Sequence, residues 1–110
     1  MLAKPERLGR SDFSQYFRRG HRYHSEHLTL VYSPAPDFRG AVVVGKKVAR
    51  QAVERNRLRR RLAHALTAYA RERGLTGAHI IITKPSVRSL PRRELPTHLE
   101  HLLAQVHRSS

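Results

Sequence analysis

The densest chemistry on this 110-residue chain is cationic. Residues 46–61 carry eight bases, Lys46, Lys47, Arg50, Arg55, Arg57, Arg59, Arg60 and Arg61, against one acid, Glu54. So few carboxylates cannot lace the cluster into i, i+4 ion pairs. It is therefore more than a self-neutralised solvated face. What it suits is a polyanion. Guanidinium forks onto phosphate with two hydrogen bonds and stacks on bases, whereas ammonium is a point charge. Arginines outnumber lysines 18 to 4, a bias to which GC-rich codons would also contribute.

No other set of residues assembles a reactive centre. The eight acids are scattered, so no carboxylate cluster could hold two metals. His21, His24 and His27 recur every three residues, and His98 and His101 lie at i, i+3. Neither set has a carboxylate or cysteine placed to complete it, so both read as surface histidines. No Ser-His-Asp order and no phosphate-loop glycine pattern occurs. The absence of cysteine excludes disulfides, thiolate zinc sites and cysteine nucleophiles.

The whole chain repeats the bias of its cluster. It has 22 Lys and Arg against 8 Asp and Glu, 22 − 8 = +14 with histidine neutral, and a sequence pI of 11.6. Such an excess repels itself in a compact state and calls for a polyanionic partner. Nucleic acid is the usual one, and an anionic membrane surface the competitor. No apolar run approaches the roughly 18 residues that cross a bilayer. Residues 1–10 have charges but no apolar stretch behind them, so no signal peptide is expected and the cytoplasm is the expected compartment. The length predicts one domain over residues 1–110.

The elements that position the cluster follow from periodicity. Phe13, Tyr16 and Phe17 at i, i+3, i+4 share one face of a short helix, with Ser11 or Asp12 as its cap and Gly20 as its stop. Leu28, Leu30 and Tyr32 alternate on one side of a strand. Pro34 and Pro36 end it, and residues 41–44 form a second strand, expected to pair antiparallel with the first. A short extra strand is possible near Arg22 and Tyr23. From residue 52 to 73 the period turns helical, with Leu58, Leu62, Leu66 and Tyr69 on one stripe and Gly74 and Gly77 beyond its end. Residues 78–83, with Ile80, Ile81 and Ile82, form a strand apolar on both faces, hence central in the sheet. A final helix carries Leu95, Leu99, Leu102, Leu103 and Val106. Pro96 either sits in its first turn or kinks it. The class is α+β, a mixed sheet of about four strands with helices packed on it, in the order α-β-β-β-α-β-α when the extra strand is counted.

Helical phase sorts the cations. With Leu62 at the centre of the buried stripe, Asn56, Arg57, Arg60 and His64 point away, Arg59 flanks it, and Arg55 falls almost on it. Arg55 is thus expected to be half-buried, fixing the helix start or the loop before it. Arginines at a helix N-terminus oppose the dipole, each at a cost of roughly 0.3–1 kcal/mol when exposed. The same free N–H groups combined with arginines make a strong phosphate site.

The run Arg55-Asn56-Arg57, preceded by Gly45-Lys46-Lys47-Val48 and followed by Leu58-Arg59-Arg60-Arg61-Leu62, resembles the protein subunit of bacterial ribonuclease P. Arg7-Leu8, Asp12-Phe13, Phe17, Gly20, the triple-isoleucine strand and the Leu-rich last helix match the same pattern, so the resemblance covers most of the chain. It implies a small α/β sandwich, ribosomal protein S5 domain 2-like, with a left-handed βαβ crossover, against the general right-handed rule. It implies catalysis by a partner RNA and its Mg2+, with no cofactor bound by the protein itself. It places Lys46, Lys47, Arg50, Arg55, Asn56, Arg57, Arg59, Arg60 and Arg61 on RNA. It places Phe13 and Phe17 in a cleft for the single-stranded 5′ leader of precursor tRNA. Val31 or Tyr32 would join them, with alternation turning Tyr32 to the core and Val31, with Thr29, to the cleft. Gly45 departs from the small hydroxyl or alanine usual there, removing a polar phosphate contact. The expected partners are the catalytic RNA and precursor tRNA, with no membrane and no DNA.

Two other classes remain. A structural RNA-binding protein would keep the basic helix without needing Phe13 and Phe17 in a cleft. A DNA-binding module would read bases with that helix, although so many arginines favour phosphate grip over base discrimination.

Overall fold

β4 (Gly77–Thr83) is the strand that is apolar on both faces, and it takes an interior place in a four-stranded sheet of order β1-β2-β4-β3. The computed structural model describes residues 7–107. In chain order its elements are α1 (Arg10–Arg19), β1 (His21–His24), β2 (Leu28–Ser33), β3 (Phe38–Val43), α2 (Ala52–Arg73), β4 and α3 (Leu95–His107). Two 3₁₀ turns, Pro85–Ser89 and Arg92–Glu94, lie between β4 and α3. The short strand suspected at Arg22 and Tyr23 is β1.

β2 and β3 do not pair with each other, contrary to the antiparallel pair expected from the sequence. β4 lies between them, antiparallel to β2 and parallel to β3. The connection from Ser33 to Phe38 steps over one strand, about 10 Å in the sheet plane. Its two prolines suit that crossing, and a tight two-residue hairpin was never available to them. α2 then joins β3 to its parallel neighbour β4, so the basic helix is the crossover of a βαβ unit.

The two sheet faces are unequal. Leu28, Leu30, Val42 and Ile81 point to one side, where the Leu58–Leu62–Leu66–Tyr69 stripe of α2 and the Leu95–Leu99–Leu102–Leu103–Val106 stripe of α3 complete one core. Val31 and Ile80, one position out of phase, are buried on the opposite side. α1 packs there, against β2. Its N-cap is Gly9, with no side-chain cap, so neither Ser11 nor Asp12 serves as expected. Asp12 instead sits in the first turn, where its charge favours the dipole. Gly20 ends α1 for a reason of space: a Cβ there would lie 2.5 Å from Val31 Cγ1. Gly74 ends α2 in the left-handed conformation, at φ 61°. Pro96 falls in the first turn of α3 and the helix continues past it. Among the described residues, no helix is long and apolar enough to cross a membrane.

Candidate nucleic-acid interface

The basic cluster begins in the loop after β3. Val44, Val48 and Ala49 are buried and anchor that loop. The N–H groups of Val48 and Ala49 both donate to the Gly45 carbonyl, at 3.1 and 3.3 Å. This turn leaves Lys46, Lys47 and Arg50 on the outside, all exposed. A Cβ on Gly45 would meet nothing within 4 Å, so space does not impose the departure there.

Arg55 is half-buried, as its phase predicts. Its Nη1 donates to the carbonyls of Ala49 and Arg50, at 3.0 and 2.6 Å. The guanidinium therefore ties the first turn of α2 to the basic loop, satisfying carbonyls that α2 cannot reach. Asn56, Arg57, Arg59, Arg60 and Arg61 are exposed. Asn56 Oδ1 accepts from Arg59 Nη1 at 2.5 Å, fixing one guanidinium one turn along. Glu54, the single acid of the cluster, is bound to Arg92 Nη2 at 2.5 Å. Its charge is thus matched by an arginine from outside residues 46–61, and the cluster keeps its full excess.

The basic surface gains residues that sequence reasoning missed. Arg88, on the first 3₁₀ turn, lines one hollow with Lys46, Lys47 and Arg50. Arg92 reaches Glu54 from the second turn. Both stand more than 25 positions from the loop, outside any periodic element, so nothing in the sequence joined them to it.

The other sheet face holds the aromatic pair. The Phe13 and Phe17 rings stack at 5.6 Å between centroids, 19° apart in plane. α1 has no buried residue, and both phenylalanines are half-buried, so they line a surface and are not plain core. The Arg22 guanidinium lies 4.5 Å from the Phe17 centroid. Arg22 pairs across β1 and β2 with Val31, and His24 with Thr29. His24 Nδ1 and Thr29 Oγ1 are 3.0 Å apart. Val31 and Thr29 thus occupy the predicted face, but they form its closed floor, at 1% and 8% exposure. Tyr32 lies on the opposite face, its ring edge-on to His79 and His107 at 5.0 and 5.2 Å. The structure does not bring it to Phe13 and Phe17.

The histidines depart from the surface reading at one place. His27 is buried, with Nδ1 2.9 Å from Ser86 Oγ and its ring against His98. A pair that the sequence did not flag joins a fully buried histidine to a half-buried one. His79, inside β4, and His107, at the end of α3, meet Nε2 to Nε2 at 3.0 Å. His79 Nδ1 is 3.1 Å from the Gly77 carbonyl, which only accepts, so Nδ1 carries the proton. Neutral His79 then accepts at Nε2, and His107 donates. Burial, reinforced by the neighbouring His107, pulls the His79 pKa down to about 4. Burial lowers His107 as well. Among the described residues, no three His, Asp or Glu groups converge as a metal site.

This is a small basic α+β protein that carries an exposed cationic loop and crossover helix on one side and a half-open aromatic surface on the other. The family model described as Ribonuclease P matches residues 2–107. A ribonuclease P protein component of a Pseudanabaena strain is 34% identical, covering 96% of this chain and 94% of its own. One from Microcystis aeruginosa is 31% identical over 88% and 80%. Among solved structures, a Staphylococcus aureus RNase P protein mutant superposes with a TM-score of 0.82 at 21% identity, covering 94% of this chain and 89% of that one. The Thermotoga maritima RNase P protein gives 0.75 at 24% over 91% and 96%. The chain belongs to the ribonuclease P protein family.

Proposed function

We propose that this chain serves as the protein subunit of a ribonuclease P ribonucleoprotein, assisting a catalytic RNA in removing the 5′ leader of precursor tRNA. The observation that carries the reading is the uncompensated cationic surface of residues 46–61, whose single acid is engaged by Arg92. Lys46, Lys47, Arg50, Arg57, Arg59, Arg60 and Arg61 would grip RNA phosphates, and Asn56 would hold Arg59 in place. Arg55, already spent on two carbonyls, would shape the loop. The leader would lie along Phe13 and Phe17 beside Arg22. Stacking on such rings contributes roughly 1–3 kcal/mol per base and tolerates many sequences, as a general processing enzyme needs.

The phosphodiester chemistry would belong to the RNA and its Mg2+, which supplies charge stabilisation at the scissile phosphate. The scatter of the eight acids along the sequence is the feature that suggests this division. The protein's cations would lower repulsion between the two RNAs and so reduce the magnesium that the reaction requires.

The test is cleavage of precursor tRNA by a bacterial ribonuclease P RNA at low magnesium, with and without the protein. Cleavage at the mature 5′ end only in its presence supports the proposal. No stimulation, with tight RNA binding intact, favours a purely structural RNA-binding protein. Phe17→Ala should weaken binding of precursor with a leader more than that of mature tRNA; equal loss would leave Phe17 as a packing residue.

A further inference from the structure

Beside the cationic face of α2 runs a groove that the reading above leaves empty. It lies between α2 and α3, has a volume of about 690 Å³, and falls within the range of roughly 300–1,000 Å³ typical of small-ligand sites. Its floor is apolar and made of small or flat side chains, Ala65, Ala68 and Pro96. Arg57 and Arg61 stand on its α2 wall. Among the described residues neither has an ion pair or a side-chain hydrogen bond.

The Arg92–Glu54 pair pins the start of the α3 segment beside the first turn of α2. At the other end, His107 of α3 meets His79 near the start of β4. The two helices therefore run the same way along the groove. Arg57 and Arg61 line it from α2, with Arg60 and His64 on the same helix, and Glu100 lines it from α3, one turn past Pro96.

We propose that this groove receives one unstacked nucleotide of the RNA subunit. The phosphate lies at Arg57 and Arg61, the base rests on the Ala65–Ala68–Pro96 floor, and an exocyclic amine of the base donates to Glu100. An apolar floor with a cationic wall suits a base joined to its phosphate. A carboxylate would repel a second phosphate, but it accepts well from an amino group. The source is the RNA subunit and not the leader, because Phe13 and Phe17 lie across the sheet from this groove. The inference rests on the RNA-subunit reading above.

The chain has no cysteine, so Ala68→Cys places a single thiol on the groove floor at an exposed position. Carrying an azidophenacyl group and irradiated with ribonuclease P RNA, with precursor tRNA, and with both, it should crosslink to one or two adjacent unpaired nucleotides of the ribonuclease P RNA that bear an exocyclic amine. Ala68→Trp fills the same floor. It should weaken RNA-subunit binding by roughly 10-fold or more by excluding the base, and leave the preference for precursor over mature tRNA unchanged. Crosslinks only to precursor tRNA, or Ala68→Trp binding as tightly as the parent, would overturn the groove while the parent's salt-dependent RNA binding kept the subunit reading alive. A parent protein that fails to bind the RNA at all would overturn both.

Discussion

Arg55 shows how one residue of a cationic cluster can also act as a brace. By composition it belongs to the eight-base cluster, yet its Nη1 reaches two loop carbonyls. Hydrogen bonds from charged donors contribute about 1.5–3 kcal/mol each. Arg55→Ala should therefore lower stability by about 1–3 kcal/mol in urea denaturation, and Arg55→Lys should not restore it fully, because the lysine stem is shorter and its ammonium does not reach where Nη1 sits. Unchanged stability would free Arg55 for direct RNA contact. Gly20 makes the complementary case, where an absent side chain matters. Its missing Cβ leaves room for Val31 Cγ1 and for the Tyr16 carbonyl. Gly20→Ala should cost about 1–3 kcal/mol through overpacking and shift α1 on β2, which thermal denaturation and the Phe17 ring environment in NMR would report.

At the scale of elements, α2 does two jobs with one sequence. Its buried stripe of Leu58, Leu62, Leu66 and Tyr69 builds the core, and its opposite side presents Arg57, Arg60 and His64. The 3.6-residue period separates the two cleanly, which is why the sequence already showed which arginines are free and which is half-buried. Arg57→Ala and Arg60→Ala should each weaken RNA binding and reduce the slope of log K against log salt by about 0.7–0.9 per lost phosphate contact. A slope equal to the parent's takes that residue out of the interface. Strand partners were less legible. β2 and β3 each show their own pattern, but nothing local says that β4, more than 30 residues on, inserts between them. Alternation did predict that Val31 and Tyr32 part to opposite faces. It could not show that Arg22, His24 and the end of α1 close over Val31 and Thr29, since those covers come from other elements.

The whole molecule adds a pH dependence that no single element contains. His79 is held at a pKa of about 4, against 6.5 unfolded, because burial and His107 disfavour its charge. The unfolded chain then binds the extra proton first. Stability from this site is complete above about pH 7, falls as pH drops from 6.5 towards 4, and levels below the folded pKa. The difference amounts to about 3 kcal/mol. Urea midpoints between pH 7 and 4 should trace that loss, and His79→Phe should flatten it; an unaltered slope would assign the effect elsewhere.

What the sequence determined by itself is what short-range physics controls. Helical period set the two faces of α2 and the half-burial of Arg55. A strand apolar on both faces had to be interior, and eight cations with one acid had to leave a surface of unbalanced positive charge. The tertiary structure alone decided what depends on residues distant in the chain. It set β4 between β2 and β3, gave Glu54 to Arg92, brought Arg88 to the lysine loop and closed His79 onto His107. Each of these is a contact between segments whose meeting is fixed by how one shared core is filled, and no local pattern encodes that.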